Sequence, residues 1–144
     1  MGRDALTLTR TFHFSAGHRL ANPALGAEEN RALYGPCFRP HGHNYLLEVT
    51  VGGRIDSRTG MAADLSGLDS AVRRAVLDLV DHRDLNADVP ALGGVITTGE
   101  NLARAFWGLL APALPAGALR RVAVVETANN TFEYYGDVID GDTR

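Results

Sequence analysis

The chain has 144 residues, 45% of them hydrophobic and 22% charged, and its formal net charge is −3. This length predicts one domain spanning residues 1–144, and the charge balance excludes the concentrated basic face of a nucleic-acid-binding protein. Lysine is absent, which excludes Schiff-base chemistry and a P-loop. A lone cysteine, the lack of an apolar run of about 18 residues and an N-terminus without a signal-peptide pattern predict a cytoplasmic protein with no membrane partner.

The first predicted element is a β-strand. Apolar and polar residues alternate from Leu6 to Ser15, and only Arg10 interrupts the apolar face. The strand leads into Gly17, which permits a bend or bulge, and it places His18 at the margin of a sheet. His18 is therefore a candidate metal ligand, and the alternative is a surface histidine.

A loop and a second strand follow. Residues 21–36 contain two prolines and two glycines and are predicted to be a loop that leads to Cys37. The next strand covers residues 43–51. If it begins two residues earlier, His41 and His43 share one face, because side chains two apart in a strand point the same way. Two imidazoles on one face form half of a zinc site, and the alternative is two solvent-facing histidines.

A helix is predicted over residues 66–79, where apolar residues recur at spacings of three and four. Asp64, or the serine that opens the helix, can cap its start. Asp69 and Arg73 are predicted to form an ion pair one turn apart. The helix ends at a polar cluster, residues 81–86, which is rich in titratable groups.

A second helix is predicted from Gly99 to Leu110, with Thr97 and Glu100 as a capping box. Two strands then close the chain, over residues 121–127 and 131–135. The predicted element order is therefore ββααββ.

That order predicts an α+β fold, in which both helices cover one face of a four-stranded antiparallel sheet. The other face then needs a partner, and the sheet could continue into a neighbouring subunit's sheet to form a closed ring. Glu126 is predicted on a strand face that is otherwise apolar. Because burying an unpaired carboxylate is costly, we expect Glu126 to face an internal arginine or a ligand.

Taken together, these segments resemble the 6-pyruvoyl-tetrahydropterin synthase family, which includes the bacterial 6-carboxytetrahydropterin synthases of queuosine biosynthesis. The resemblance covers nearly everything from Phe12 to Gly136. Separated motifs in the family's order carry it: Phe14 to Leu20, Glu28 to Asn30, Cys37 with His41 to Tyr45, Thr59 to Met61, Asp64 with Leu65, Asp81 and His82 with Leu85 and Asn86, Thr98 with Glu100 and Asn101, and Glu126 with Thr127.

The resemblance implies a T-fold (tunnelling fold), a homohexamer of two trimeric rings and the small-molecule substrate 7,8-dihydroneopterin triphosphate. The product implied is 6-pyruvoyl-tetrahydropterin, formed with loss of triphosphate. The implied roles are zinc binding by His18, His41 and His43, proton abstraction by Cys37, acid–base chemistry by Asp81 and His82, and pterin binding by Glu126 with Thr98 and Glu100 assisting.

Two alternatives stay open at this point. One is a 6-carboxytetrahydropterin synthase, which releases acetaldehyde and triphosphate from the same substrate. Three residues separate Cys37 from His41, as in the queuosine-pathway enzymes, whereas other segments look more like the pyruvoyl branch. The other alternative is a non-catalytic, zinc-stabilised pterin-binding oligomer. Gly99 also departs from the family, which usually has a hydroxyl residue there, and Glu100 is either a ligand or only a helix cap.

Overall fold

A long antiparallel pair of strands forms the middle of the fold. In the computed structural model, which describes residues 6–137, β1 (Thr7–His18) and β2 (His41–Gly52) pair along their whole lengths. The pairing runs from Thr7 opposite Gly52 to His18 opposite His41. Side chains of directly opposed residues lie on the same face of the sheet, so the register decides which residues of the two strands can meet.

The sheet has five strands in the order β3-β1-β2-β4-β5. β4 (Leu119–Thr127) and β5 (Asn130–Tyr134) continue the antiparallel pattern beyond β2. β3 (Arg83–Asp84) is a two-residue strand that pairs with β1 in parallel. The predicted α+β class holds, but the sheet gains this fifth strand. Two residues within a polar cluster carry no periodic pattern that could have revealed it.

Four α-helical segments accompany the sheet: α1 (Ala27–Tyr34), α2 (Leu65–Val72), α3 (Asp78–Val80) and α4 (Gly99–Leu110). A π turn, Arg73–Leu77, joins α2 to α3 without a break, so the predicted helix over residues 66–79 is present with an irregular middle. None of the helices in the described part of the chain is long and apolar enough to cross a membrane.

The core lies between one face of the sheet and the helices. Phe14 of β1 stacks on Tyr45 of β2 with ring centroids 4.7 Å apart, and Phe106 of α4 meets Phe14 edge-on at 5.9 Å. All three rings are fully buried. Such pairs add to the free energy gained by burying the rings. They also hold β1 and β2 together next to His18, His41 and His43.

The opposite face carries a polar network instead of an apolar surface. Arg121 donates hydrogen bonds to Glu48 of β2, at 2.9 Å, and to Glu133 of β5, at 2.7 Å. Arg121 also donates to the hydroxyl of Thr50, which is hydrogen-bonded to Thr9 of β1. Ion pairs therefore join β2, β4 and β5 on this face, and the Thr9–Thr50 hydrogen bond extends the network to β1. The burial of this face by a partner stays a prediction.

The segment predicted to be a loop, residues 21–36, contains α1. Its glycines lie at the two ends of the helix, as Gly26 before it and Gly35 after it, and Gly35 has a φ of 57°. The buried Asn30 donates from its amide to the carbonyl of Asn22 and accepts from the Asn22 N–H. Glycines that mark the two ends of a helix were thus mistaken for residues that exclude a helix.

Local pairing differs from the sequence prediction at two places. Thr98, not Thr97, caps α4, because its hydroxyl accepts the N–H of Asn101. Asp64 caps α2 as predicted. Nε and Nη2 of Arg10 donate hydrogen bonds to the two carboxylate oxygens of Asp69, each at 2.9 Å. This ion pair joins β1 to α2 and replaces the predicted pair along the helix.

Candidate metal centre and active site

Three histidines meet at one end of the β1–β2 pair. His18 closes β1, and it lies opposite His41, the first residue of β2. His43 is opposite Ala16, so all three imidazoles share the face that carries the Phe14–Tyr45 stack. One nitrogen from each ring lies within 4.8 Å of the others. The predicted trio is therefore brought together by the strand register.

Hydrogen bonds fix which nitrogen of His18 is free. Its Nδ1 lies 2.9 Å from the carbonyl oxygen of Thr97. A carbonyl only accepts, so Nδ1 carries the hydrogen and Nε2 keeps its lone pair. His41 is held in the same manner, with Nδ1 2.7 Å from the carbonyl oxygen of Arg39. A backbone carbonyl that orients one ring nitrogen and leaves the other free is typical of metal-binding histidines.

Burial keeps His18 neutral. The residue is only 4% exposed, and burial, followed by the nearby His41, lowers its pKa from 6.5 to about 4. Its Nε2 is buried and has no hydrogen-bond partner within residues 6–137. Burial also lowers the pKa of His43. An unpartnered lone pair in the core is costly, and neutral imidazoles are the form that binds metal. The three residues therefore fit a metal ion with an open coordination position.

Tyr45 and Glu126 lie next to the three histidines. The rings of Tyr45 and His43 are 5.3 Å apart, and the buried Tyr45 hydroxyl has no hydrogen-bond partner among the described residues. Burial, and then the charge of Glu126, raise the pKa of Tyr45. Sequence reasoning missed Tyr45 as a site residue, although its spacing of two from His43 placed it on the same face of β2.

Glu126 is half-buried near the end of β4, where the pairing with β5 shifts register. Its charge acts on His43 and Tyr45. It makes no hydrogen bond or ion pair to any residue in the described range. Of the two partners expected from the sequence, the internal arginine is therefore not found, which leaves the carboxylate available to a ligand.

The start of α4 holds the two other predicted pterin contacts. The Thr98 hydroxyl is engaged as the helix cap, and Glu100 is exposed in the first turn. Glu100 is not part of a capping box, because the third residue after the cap is Asn101. A Cβ at Gly99 would overlap the ring of Phe132 on β5. That contact explains why this chain has glycine where the resemblance led us to expect a hydroxyl residue.

Cys37 lies in a short 3-10 helix, Gly35–Phe38, between α1 and β2. It is an exposed free thiol, and its backbone carbonyl accepts the N–H of Leu20 at 2.8 Å. This bond ties the segment that follows His18 to the segment that precedes His41. The thiol is thus held near the metal-ligand end of the sheet.

Asp81 and His82 form a pair at the sheet edge. The Asp81 carboxylate accepts the N–H of Ser15 at 3.0 Å and lies 3.0 Å from Nδ1 of His82. The Ser15 N–H and then His82 hold the pKa of Asp81 below its usual range. His82 has a φ of 61°, and its N–H donates to the Ser15 carbonyl. Backbone bonds to β1 therefore maintain this unusual conformation.

A groove of about 480 Å³ lies between His82 and His43. It is lined by His43 and Asn44 of β2 and by His82 and Asp84 on the other side. Cys37 does not line it. In the part of the chain that the structure describes, no contact joins Cys37 to Asp81 or His82, so the three residues predicted to be catalytic are not brought together within one chain.

Comparison with known proteins decides the family. A family model described as 6-pyruvoyl tetrahydropterin synthase matches residues 7–137. The chain belongs to the 6-pyruvoyl tetrahydropterin synthase family. Human 6-pyruvoyl tetrahydrobiopterin synthase is 43% identical to this member over 132 residues, which cover 90% of this chain and 91% of the human protein. The family predicted from the motifs is confirmed.

Two further relatives bear on the fold and the reaction. The structure of Caenorhabditis elegans 6-pyruvoyl tetrahydropterin synthase matches with a TM-score of 0.87 at 35% identity, covering 95% of this chain and 100% of that chain. The 6-carboxy-5,6,7,8-tetrahydropterin synthase of Aquifex aeolicus is 32% identical over 156 residues, covering 88% of this chain and 96% of the relative. The T-fold and the tetrahydropterin synthase class, an enzyme of the lyase type, are therefore confirmed.

Proposed function

We propose that this enzyme is a zinc-dependent synthase that converts 7,8-dihydroneopterin triphosphate to 6-pyruvoyl-tetrahydropterin with loss of triphosphate. The observation that supports this most is the set of three converging imidazoles, His18, His41 and His43, beside Glu126, which has no partner within residues 6–137. The 43% identity to a 6-pyruvoyl enzyme, against 32% to a 6-carboxy enzyme, favours the pyruvoyl product.

The three histidines would hold the zinc ion, each through the nitrogen that faces the others. Three neutral nitrogen ligands and one open position suit a catalytic zinc ion. When bound, zinc supplies Lewis-acid polarisation of oxygens on the substrate side chain, which acidifies the neighbouring C–H bonds. Tyr45 and the Phe14 ring pack behind the histidines and keep this face dry.

Glu126 would bind the pterin ring. The ring presents an N–H and an amino group side by side, and a carboxylate accepts two such parallel hydrogen bonds well. Half-burial strengthens these bonds, because the surrounding medium screens charge less than water does. Thr98 and Glu100, at the start of α4, would assist on the same ligand, although the Thr98 hydroxyl is already shared with the helix N-terminus.

Cys37 would take protons from the substrate side chain as a thiolate, and His82, oriented by Asp81, would move protons to and from its oxygens. Cys37 does not line the groove that contains His82. We therefore propose that the set is completed across a subunit boundary, in a cytoplasmic homohexamer built from two trimeric rings. The open edges of the sheet at β5 and along β1 are consistent with such rings.

The 6-carboxytetrahydropterin synthase reaction is the second candidate. The short spacing between Cys37 and His41 favours it, since this spacing resembles the queuosine-pathway enzymes. Both reactions start from one substrate, so the products distinguish them. Mass spectrometry after incubation with 7,8-dihydroneopterin triphosphate, with and without a reductant, should show 6-pyruvoyl-tetrahydropterin. Acetaldehyde and the carboxy product would establish the alternative, and intact substrate would leave only a pterin-binding oligomer.

A further inference from the structure

Two guanidinium groups share one aromatic ring beside Cys37. The Cζ atom of Arg19 lies 4.7 Å from the centroid of the Phe38 ring, and that of Arg31 lies 5.7 Å from it. Arg19 directly follows His18, and Phe38 directly follows Cys37. A third cation, the exposed Arg39, is the next residue along the chain. Positive charge is therefore concentrated next to His18 and Cys37, in a chain of net negative charge.

These arginines have no anionic partner within residues 6–137. None of the three, Arg19, Arg31 and Arg39, makes an ion pair or a side-chain hydrogen bond with any residue in this range. Glu28 and Glu29 lie in the first turn of the helix that carries Arg31, yet neither pairs with it. Guanidinium groups that stack on a ring use their flat faces and leave their N–H edges free to bind an anion.

The backbone around the ring is held in place. Asn86 accepts the Arg19 N–H at 2.9 Å and donates to the Arg19 carbonyl at 3.1 Å. The bond from Leu20 N–H to the Cys37 carbonyl joins the two segments that carry the stack. The cations are thus positioned before any ligand arrives, which reduces the entropy lost when a ligand is bound.

We propose that Arg19 and Arg31, stacked on Phe38, form the subsite for the triphosphate group of the substrate, with Arg39 adding charge at its rim. This inference rests on the proposed function, because that function supplies a substrate with a polyanionic leaving group. Planar guanidinium groups bind phosphate oxygens in pairs, and the chain has no lysine to do so. The subsite holds the leaving group on the side of Cys37, where protons are removed from the adjacent carbons.

The test uses the zinc-loaded enzyme and two separate ligands, inorganic tripolyphosphate with excess magnesium and 7,8-dihydroneopterin, which has no phosphate. Calorimetry should show tripolyphosphate binding weakened about tenfold in Arg31→Gln and in Arg19→Gln, and more in the double variant. Binding of 7,8-dihydroneopterin should stay within about twofold of wild type, because its ring is recognised elsewhere. Zinc content is measured after each titration, since tripolyphosphate chelates metals.

Arg58→Gln is the matched control. Arg58 is exposed in the turn beyond the far end of β2, roughly 35 Å of strand away from His41. This variant loses the same charge and should bind both ligands as wild type does. Phe38→Leu keeps both cations but removes their platform, and it should also weaken tripolyphosphate binding.

Two results would overturn the subsite: no tripolyphosphate binding by wild type, or equal binding by wild type and the double variant. Failure of the proposed function has a different signature. An enzyme that binds tripolyphosphate through these arginines but leaves 7,8-dihydroneopterin triphosphate unchanged would refute the reaction and retain the anion subsite. Turnover with arginine-independent anion binding would refute the subsite alone.

Discussion

His18, a predicted metal ligand, and His82, a predicted proton-transfer residue, are enclosed by the chain to different degrees. His18 is 4% exposed, bonded through Nδ1 to a backbone carbonyl and packed among its two companion imidazoles. The His82 side chain is 82% exposed, and within residues 6–137 its one hydrogen-bond or ion-pair partner is Asp81. The predicted metal-ligand end is thus built by core packing within the chain, whereas the predicted acid–base residue His82 is left open to solvent by the described residues.

The largest expected effect is on the three histidines of the predicted metal site. His41→Ala removes one of three ligands, and we expect elemental analysis to show most of the zinc lost and activity with it. The control is His13→Ala, which removes an exposed histidine of the same sheet. Full zinc occupancy in His41→Ala would refute the metal assignment.

The exposed residues Cys37 and His82 should behave differently from the predicted metal ligands. Cys37→Ala and His82→Ala should each be nearly inactive while keeping zinc and fold, because neither residue is buried in the core. Co-expression should give mixed oligomers in which some sites pair an intact Cys37 with an intact His82 from another subunit. Activity should recover to at most roughly one quarter of wild type for random pairing.

Mass spectrometry of the intact oligomers checks that mixing has occurred. Verified mixed oligomers that stay as inactive as their parents would place the whole site within one chain.

Glu126→Gln tests the carboxylate that lies beside the three histidines. The substitution keeps the size but turns one acceptor oxygen into a donor that faces the N–H edge of the pterin. We expect pterin binding weakened by about 1.5 to 3 kcal/mol in calorimetry, the range for a charge-assisted hydrogen bond. Unchanged affinity would show that the carboxylate does not contact the ring, and unchanged zinc content is the control for folding.

The last prediction concerns the stability of the metal-free protein. The pKa of His18 in the folded state, about 4, is lower than its ordinary value of 6.5. As the pH falls through 6.5, the unfolded chain therefore takes up this proton first, and the free energy of unfolding decreases down to pH 4. The decrease is at most about 3 kcal/mol.

Urea denaturation in a chelator, at several pH values between 7 and 4, measures that decrease. His18→Gln should flatten the pH dependence, and His13→Gln, at an exposed position, should keep it. A wild-type protein whose stability is constant across this range would contradict the burial argument.

Much of the fold followed from periodicity alone. Alternation along β1 and β2 and the three- and four-residue spacing in α2 and α4 located those elements to within a few residues. Elements without such a period were missed. α1 was hidden because its boundary glycines resemble loop signals, and β3 because two residues have no pattern.

The sequence by itself determined the chemistry that is available: three histidines at strand positions, one thiol, an Asp–His pair and a carboxylate on an apolar face. Separated motifs in a fixed order also determined the family. Residue type and the face of a strand on which a side chain lies are local properties, and both can be predicted from the sequence.

Only the tertiary structure decided which of these groups meet. Strand register set His18 opposite His41, and the packing of the segment before α4 placed the Thr97 carbonyl against Nδ1 of His18. The same packing left Glu126 without a partner among the described residues and stacked Arg19 on Phe38. These contacts join residues far apart in the chain, so they depend on how the elements pack, which no local pattern records.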